Sequence, residues 1–568
     1  MARTALRVGN CSGFYGDRFS AMREMLEGGP LDVLTGDYLA ELTMLILGRD
    51  RMKDPATGYA KTFLRQMKEC LALAMQKKVR IVVNAGGLNP AGLASAVRAL
   101  SAELGTPARV AHVEGDDLIA RASELGLGTP LTANAYLGAW GIVECLRNGA
   151  DIVITGRVTD ASLVVGAAAA HFDWKRDDWN ALAGAAVAGH VLECGAQATG
   201  GNFAFFTEID LVRPPGFPIA EIEEDGSCVI TKHQGAGGAV TVDTVRAQIV
   251  YEITGARYAG PDVTTRFDTM QVIQDGTDRV RIHDATGEPP PPTLKVCLNH
   301  VGGFRNDVSF VLVGLDIEAK ARLVRAQMEA ALPKKPAELV WSLLRTDRED
   351  ADDEARASAM LRAVAKDKDP SVVGRAFSNV AVELALASYP GFTLTAPPGD
   401  GSPYGVYSAA FVDASAVPHV AVLPDGSRVA IAPIVETRAL EPVPPPELGP
   451  AAQLAEPLVR AALGRVMGAR SGDKGGTANI GVWARSEEAF RWLAATLDVE
   501  KLRALLPETA PFPIERHVFP RLRAMNFVVD GLLGEGVSSS PRFDPQGKAL
   551  GEWLRSRHVD IPRSLLDG

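Results

Sequence analysis

The sequence predicts an α/β fold: a parallel sheet in the amino-terminal region, a mixed α/β second half, and a small α+β sandwich at the carboxyl end. Three observations lead there. Short apolar runs alternate with helical segments up to about residue 200, the pattern of βαβ units. From about residue 203 the texture changes to short β-like runs separated by Gly/Pro turns. A proline-rich stretch, Glu441–Pro450, then reads as an exposed semi-rigid linker before a final unit. A chain of 568 residues also exceeds what one hydrophobic core sustains.

Taken in order, the runs Leu6–Val8, Leu31–Leu34, Val79–Val83, Arg109–Val113 and Ile152–Ile154 predict strands. Helices are expected at Tyr38–Leu47, Thr62–Gln76, Gly92–Leu104, Ala135–Asn148 and Ala181–Cys194. Glu114, Gly115, Asp116 and Asp117 are placed to start and cap a helix. Further strands are read at Ile219–Ile222, Cys228–Thr231, Arg279–His283, Leu294–Leu298 and Val308–Val313, with Pro289–Pro292 as a stiff connector. Two or three helices between Ile317 and Leu386 follow. The resulting division is a large domain over 1–440, a linker over 441–458, and a small domain over 459–568. Within the large domain, residues 1–202 hold the parallel sheet and residues 203–440 the mixed α/β region. In the small domain, strands near Gly464–Met467, Asn479–Ala484, His517–Phe519 and Ala524–Val529 interleave with helices near Glu488–Leu497 and Lys548–Ser556.

The bulk numbers exclude several classes. A net charge of −10 gives no electrostatic basis for binding nucleic acid or an anionic membrane. Six cysteines without a CxxC pair argue against a disulfide framework or structural zinc, and for a reducing cytosol. The apolar run Ala161–Ala170 is too short to span a bilayer. A soluble, cytoplasmic protein is expected.

In a parallel sheet the loops that follow the strands share one edge, where open α/β folds bind ligands. Here those loops are Asn10–Arg18, Gly36–Glu41, Asn84–Gly92 and Thr155–Ser162. They bring Asn10, Cys11, Asp17, Arg18, Asp37, Asn84, Gly86, Gly87, Asn89, Arg157 and Asp160 to that edge. Arg157 at a strand exit suits a carboxylate or other anion, which an arginine holds through paired hydrogen bonds. Asp160 stands close to a helix amino end, where a carboxylate caps backbone N–H groups. The glycine loop at Asn84–Gly92 presents backbone N–H groups, but it has neither the dinucleotide nor the P-loop spacing. His190, Glu193 and Cys194 are three and four apart on one helix, so the histidine faces a carboxylate and can form an acid/base pair. That helix runs into the turn Thr199–Asn202, an approach point for a ligand. The stretch Ser471–Gly476 joins Asp473 and Lys474 to glycines, a turn able to cradle phosphate. Ser538–Ser540 reads as a mobile loop. Cys11 has no histidine near it in sequence, and no Gly-x-Ser-x-Gly elbow is present.

Several of these stretches carry a resemblance. They are Gly9-Asn-Cys-Ser-Gly-Phe-Tyr-Gly-Asp17, Gly36-Asp-Tyr-Leu-Ala-Glu41, Asn84-Ala-Gly-Gly-Leu-Asn-Pro90 and Ile154-Thr-Gly-Arg-Val-Thr-Asp160. Gly189-His-Val-Leu-Glu-Cys-Gly195, Thr199-Gly-Gly-Asn-Phe203, Ala469-Arg-Ser-Gly-Asp-Lys-Gly-Gly476 and Asn526-Phe527 belong with them. Together they resemble the acyclic terpene utilization AtuA family, almost end to end. Gly476 is a departure, since many relatives carry an acidic or amide residue there. The resemblance implies a large domain with an appended domain of ferredoxin-like shape. It also implies a place in the breakdown of branched acyclic terpenoids such as citronellol and geraniol, through coenzyme A thioesters.

The expectation is an acid/base enzyme on a branched acyl-CoA, either a hydratase–dehydratase or a carbon–carbon lyase. His190 with Glu193 would be the acid/base pair, and Asp160 or Asp37 the second. Arg157 would take a substrate carboxylate. Asn84 with the backbone of Gly86 and Gly87 would stabilise the oxyanion, and Asn89, Asn202 and Asn10 would contact substrate. Lys474, Gly475 and Asp473 would hold the phosphates of coenzyme A, which enters as a portion of the substrate. No metal and no covalently bound cofactor is expected. The motif Arg470–Gly476 would dock on the large domain, its own or a neighbour's, which favours a homo-oligomer. Two rivals remain: a non-catalytic acyl-CoA or metabolite holder for a carboxylase or dehydrogenase, and a thioester hydrolase with Cys11 as nucleophile.

Overall fold

A computed structural model describes residues 4–448 and 457–566. Residues 449–456 of the expected linker lie outside the described residues. The backbone forms two compact units. One comprises residues 1–299, 407–537 and 546–568; the other comprises 300–406 with 538–545. The carboxyl-terminal domain clusters with the amino-terminal sheet in the first of these units.

The first unit is built on strands β1 (Leu6–Asn10), β2 (Val33–Gly36), β3 (Arg80–Val83), β4 (Val110–Glu114), β5 (Thr132–Ala135) and β6 (Ile152–Thr155). Five of them lie parallel in the order β1-β2-β3-β6-β4. Their side chains are almost all buried, as strands covered by helices on both faces require. Antiparallel strands extend both margins. β7 (Pro218–Ile222) and β8 (Cys228–Lys232) continue from β1 to Val280–His283 and Gln271–Gln274. Val420–Val422 and Arg428–Ala430 continue from β4, completing eleven strands.

Two helices differ from expectation for identifiable reasons. Helix Glu41–Lys53 starts three residues later than the pattern suggests. The amides of Tyr38 and Leu39 bond instead to Asn84 Oδ1 (2.7 Å) and Asp37 Oδ1 (3.0 Å), so side chains compete successfully with helix formation. Helix Trp140–Arg147 likewise starts late. Thr132–Ala135 has become β5, paired antiparallel with Val296–Asn299 of the long strand Thr293–Val313, a tertiary pairing that overrides local pattern. The turn at Glu114–Asp117 starts only one 3₁₀ turn, Ile119–Arg121, with Asp117 Oδ1 accepting from Ile119 N at 3.0 Å. Helix Ala21–Glu27 has no counterpart among the expected elements.

The carboxyl-terminal domain has an antiparallel sheet in the order Met467–Lys474, Thr477–Ala484, Ala524–Val529, Ile514–Phe519. Helices Glu487–Thr496, Val499–Leu505 and Leu550–Ser556 belong to it, and its core contains Ile480, Val482, Phe490, Leu493 and Phe527. The strand period of two puts Gly468, Arg470, Gly472 and Lys474 on the opposite face from Ala469 and Ser471. Asn479, Gly481 and Trp483 share that face. It carries glycines because it packs backbone to backbone on helix Val242–Ile249 and the turn after it. A Cβ on Gly481 would stand 2.5 Å from Val250 O, and one on Gly472 2.4 Å from the Tyr251 ring. Buried amides complete the joint: Asn526 donates to Ile253 O (2.8 Å), and Asn479 accepts from Glu252 N (2.7 Å).

In the second unit, strands Glu338–Leu344, Ser358–Asp367 and Thr393–Leu394 flank the later portion of Thr293–Val313. Helices Ile317–Ala331 and Arg375–Glu383 cover Phe310, Met328, Leu361 and Phe377. Ser538–Ser540, expected to be a mobile loop, is pinned here. Arg305 donates to Ser538 O (3.3 Å) and Ser540 O (3.1 Å), and Lys366 donates to Ser539 O (3.0 Å).

Candidate functional site

The loops after β2 and β6 meet at Arg157. Its guanidinium is 3% exposed, donates to Asp160 Oδ1 (2.7 Å) and Leu39 O (3.2 Å), and lies 4.3 Å from the centre of the Tyr136 ring. Its backbone N–H bonds to Asp116 Oδ2 (2.9 Å), which also accepts from Asn134. Burial pushes the Asp116 carboxyl up to about 7. Asp37 lies beside the same cation, accepting from Asn84 Nδ2 at 2.6 Å. Burial, with the nearby Asp160 charge, lifts the Asp37 carboxyl well above the ordinary carboxylate range. Asp160 remains open, with 28% of its side chain exposed.

Glu193 closes the next side of this cluster. Helix Trp179–Glu193 is small-residue and apolar, and it runs close beneath the β6 loop: a Cβ on Gly189 would stand 2.7 Å from Ala161 Cα. His190 Nδ1 is 3.1 Å from Glu193 Oε1, and its Nε2 is 3.2 Å from Ile249 O. A carbonyl only accepts, so Nε2 carries a proton. With that proton on Nε2, Nδ1 of a neutral imidazole can only accept, so a hydrogen bond across this contact needs a further proton on one of the two groups. Glu193 Oε2 is buried and has no hydrogen-bond partner among the described residues. Burial raises the Glu193 carboxyl above its ordinary value, opposed by His190, with Asp160 and Glu252 adding to the rise. Tyr258 stacks on Phe267 and flanks the His190 ring at 5.2 Å.

A third side is cationic. Lys295 Nζ, from the strand paired with β5, lies 4.9 Å from the Tyr136 ring centre and 5.6 Å from that of Tyr407. Its nearest carboxylate oxygen is Glu41 Oε1, at 3.8 Å. Burial lowers the Lys295 ammonium below its ordinary value, while burial of Glu41 is outweighed by Lys295 and Arg157, which hold that carboxyl low. Lys474 reaches in from the carboxyl-terminal hairpin, donating to Glu252 O (3.0 Å) and lying 5.3 Å from the Tyr258 ring. The hairpin tip fits against Tyr407: Gly475 has φ +66°, and a Cβ there would meet that ring at 2.6 Å.

The family model described as acyclic terpene utilisation family protein AtuA matches residues 6–423, and that of the AtuA ferredoxin-like domain matches residues 461–560. The chain belongs to the AtuA family. No curated protein and no solved structure matches it. Its sheet-edge cluster thus draws on both family domains, with Lys474 from the ferredoxin-like one.

Of the residues expected in the AtuA site, Asp37, Arg157, Asp160, Glu193 and Lys474 converge. Others are committed to the fold. The N–H groups of Gly86 and Gly87 bond to Thr155 O (3.0 Å) and Asn84 O (3.2 Å), so neither is free for an oxyanion. Asn84 is fully buried between Asp37 and Tyr38 N. Asn89 is the N-cap of helix Pro90–Glu103, accepting from Gly92 N and donating to Ala56 O and Thr57 O. Asn10 donates to Leu192 O (2.6 Å), fixing the end of the Glu193 helix. Asn202 is an exposed left-handed turn residue whose carbonyl accepts from Arg470. Asp473 pairs with Lys548 at 3.2 Å, and burial lifts its carboxyl to about 6. Gly475 and Gly476 pack too closely for an open phosphate cradle. Cys11 is fully buried, and burial pushes its thiol far above the ordinary range, away from a reactive thiolate.

Glu41, Tyr136, Tyr258, Lys295 and Tyr407 are absent from the expected set. Lys295 had a signal: a lysine inside Thr293-Leu-Lys-Val-Cys-Leu298, an otherwise strand-like run. Among the described residues no three His, Cys, Asp or Glu side chains group as a metal site, and no helix is long and apolar enough to cross a membrane.

Proposed function

We propose that this chain is an acid/base enzyme acting on a branched acyl-CoA thioester of acyclic terpenoid breakdown, as a hydratase–dehydratase or a carbon–carbon lyase. The carrying observation is Glu193. It has one oxygen on His190 and the other without a protein partner, and it is close enough to Asp160 for the two charges to oppose each other. A carboxyl lifted by burial is a stronger base than an ordinary carboxylate, suited to accept and return a proton. In the hydration direction Glu193 takes the proton of the attacking water, and Asp160, open to solvent, relays one to the α carbon. Lyase chemistry needs the same pair, to remove a hydroxyl proton and to protonate the departing carbanion. His190 acts as a positioning residue: its Nε2 is tied to Ile249 O, and its Nδ1 faces Glu193 at 3.1 Å. Arg157 fixes the orientation of Asp160.

The test is turnover of a panel of branched enoyl- and 3-hydroxyacyl-CoA thioesters. Glu193→Gln is expected to lower it by roughly 10²-fold or more, the usual reach of a positioned acid/base, with little change in thermal midpoint. Retained turnover in a folded Glu193→Gln protein refutes the reading. Loss of stability with activity per folded molecule unchanged would make the His190–Glu193 pair a packing feature.

A further inference from the structure

Lys295 is the cation of this cluster whose side chain makes no hydrogen bond among the described residues. Arg157 is bonded to Asp160 at 2.7 Å, and Lys548 to Glu252 and Asp473 at 3.2 Å each. Lys474 uses one of its three protons for Glu252 O. Lys295 has only Glu41 at 3.8 Å, beyond hydrogen-bond distance, although 23% of its side chain is open. A partly exposed ion pair at that separation is worth little, so turning Lys295 toward another anion costs little. The surroundings are suited to receive one. Tyr136 and Tyr407 provide flat walls on which the ammonium already rests, and the buried Leu39, Met44 and Cys297 lie in the same apolar cluster as Tyr136. Lys474 lies close enough to oppose the Lys295 charge, a repulsion that an anion between them would relieve. Arg157 Nε, buried beside Tyr136, has no partner among the described residues.

We propose that Lys295, against the rings of Tyr136 and Tyr407, and Lys474, beside Tyr258, form a subsite for a carboxylate carried on the acyl portion of the substrate. The natural substrate is then a branched acyl compound with a free acid end, and the carboxylate is held by lysines and not by Arg157. A carboxylate fits better than a phosphate. It brings one negative charge past Glu41 and Asp160, where a phosphate dianion would bring two. The inference rests on the reading above that this cluster is the substrate site, and its test reads binding alone, so the two can fail separately.

The experiment is calorimetric titration of the full chain with 3-methylbutanoate, its neutral amide and inorganic phosphate. The acid is expected to bind saturably and the amide roughly tenfold or more weaker, the loss usual for a charge-assisted hydrogen bond. Lys295→Met should weaken the acid by a similar factor and leave the amide unchanged, whereas Lys295→Arg should retain acid binding. Glu41→Gln, which removes the competing carboxylate, should tighten acid binding and so tests the subsite even if Lys295→Met fails to fold. Glu193→Gln should bind the acid like the parent. Equal affinity for acid and amide, or unchanged acid binding in folded Lys295→Met, overturns the subsite. Phosphate binding more tightly than the acid also overturns it, in favour of a site for the phosphates of the thioester carrier. A Glu193→Gln protein with full turnover would end the acid/base reading and leave this subsite standing.

Discussion

The loops after β3 and β6 leave neighbouring strands of one sheet, and both carry the small and polar residues of a ligand site. In the β3 loop the glycine N–H groups bond to protein carbonyls, Asn84 fixes the backbone of the β2 loop, and Asn89 caps a helix. In the β6 loop Arg157 and Asp160 reach outward into a cluster shared with Asp37, Glu41 and Glu193. The difference is one of bookkeeping for donors and acceptors. A polar residue contributes to function only with the capacity left after its fold obligations are met. The β3 loop has little left, because it lies between β2 and β6 and must satisfy both.

The largest effect that would break this comparison is in turnover. Asp160→Asn should lower it by roughly 10²-fold while leaving the unfolding midpoint near the parent value. Gly86→Ala should do the reverse. Its Cβ would stand 2.5 Å from Thr155 O and 2.7 Å from Pro90, so a cost of about 3 kcal/mol by denaturant unfolding is expected, with activity per folded molecule kept. A Gly86→Ala protein of normal stability and lost activity would return the β3 loop to the site.

The pH dependence of stability sharpens the contrast. Asp116 holds Arg157 N, and its carboxyl lies at about 7 against an unfolded value of 3.8. The folded state therefore binds the proton more tightly. The contribution is fully present below pH 3.8 and is lost as pH rises through about 7. Asp116→Asn should flatten the decline in melting temperature between those limits, and a decline as steep as the parent's would refute this account. The smallest effect belongs to Asn89→Ala. Loss of the N-cap should cost about 1 kcal/mol, with turnover unchanged.

Much of the frame was legible in the sequence. The strands at Leu6–Val8, Val79–Val83 and Ile152–Ile154 fall within β1, β3 and β6 or overlap them by most of their length, because buried parallel strands announce themselves as apolar runs. The AtuA motifs at Gly36–Glu41 and Ile154–Asp160 also lie in the loops that form the sheet-edge cluster. What could not be read was which donors are already taken. Gly86 N is bonded across to Thr155, and Asn84 to Asp37, pairings set by strand order and not by local spacing. Nor could periodicity reveal that Lys295, in a strand-like run, and Tyr407, far along the chain, face the same ring system. The hairpin around Lys474 docks on the chain's own residues Val250–Ile253, a pairing that local spacing does not announce.

The first unit is assembled from three separate stretches of chain, and this sets an order of events at the ribosome. Asp37, Arg157, Glu193 and Lys295 all precede the second unit, Tyr407 and Lys474 follow its long stretch 300–406, and Lys548 follows it entirely. At about 5–20 residues per second, roughly 10–35 s separate the emergence of Lys295 from that of Lys474. For that interval the parallel sheet has what it needs to form, while the acids and cations at its edge stay hydrated and unpaired with the hairpin. Nascent chains arrested before Lys474 should therefore hold the parallel sheet and yet lack binding competence, which full-length chains gain.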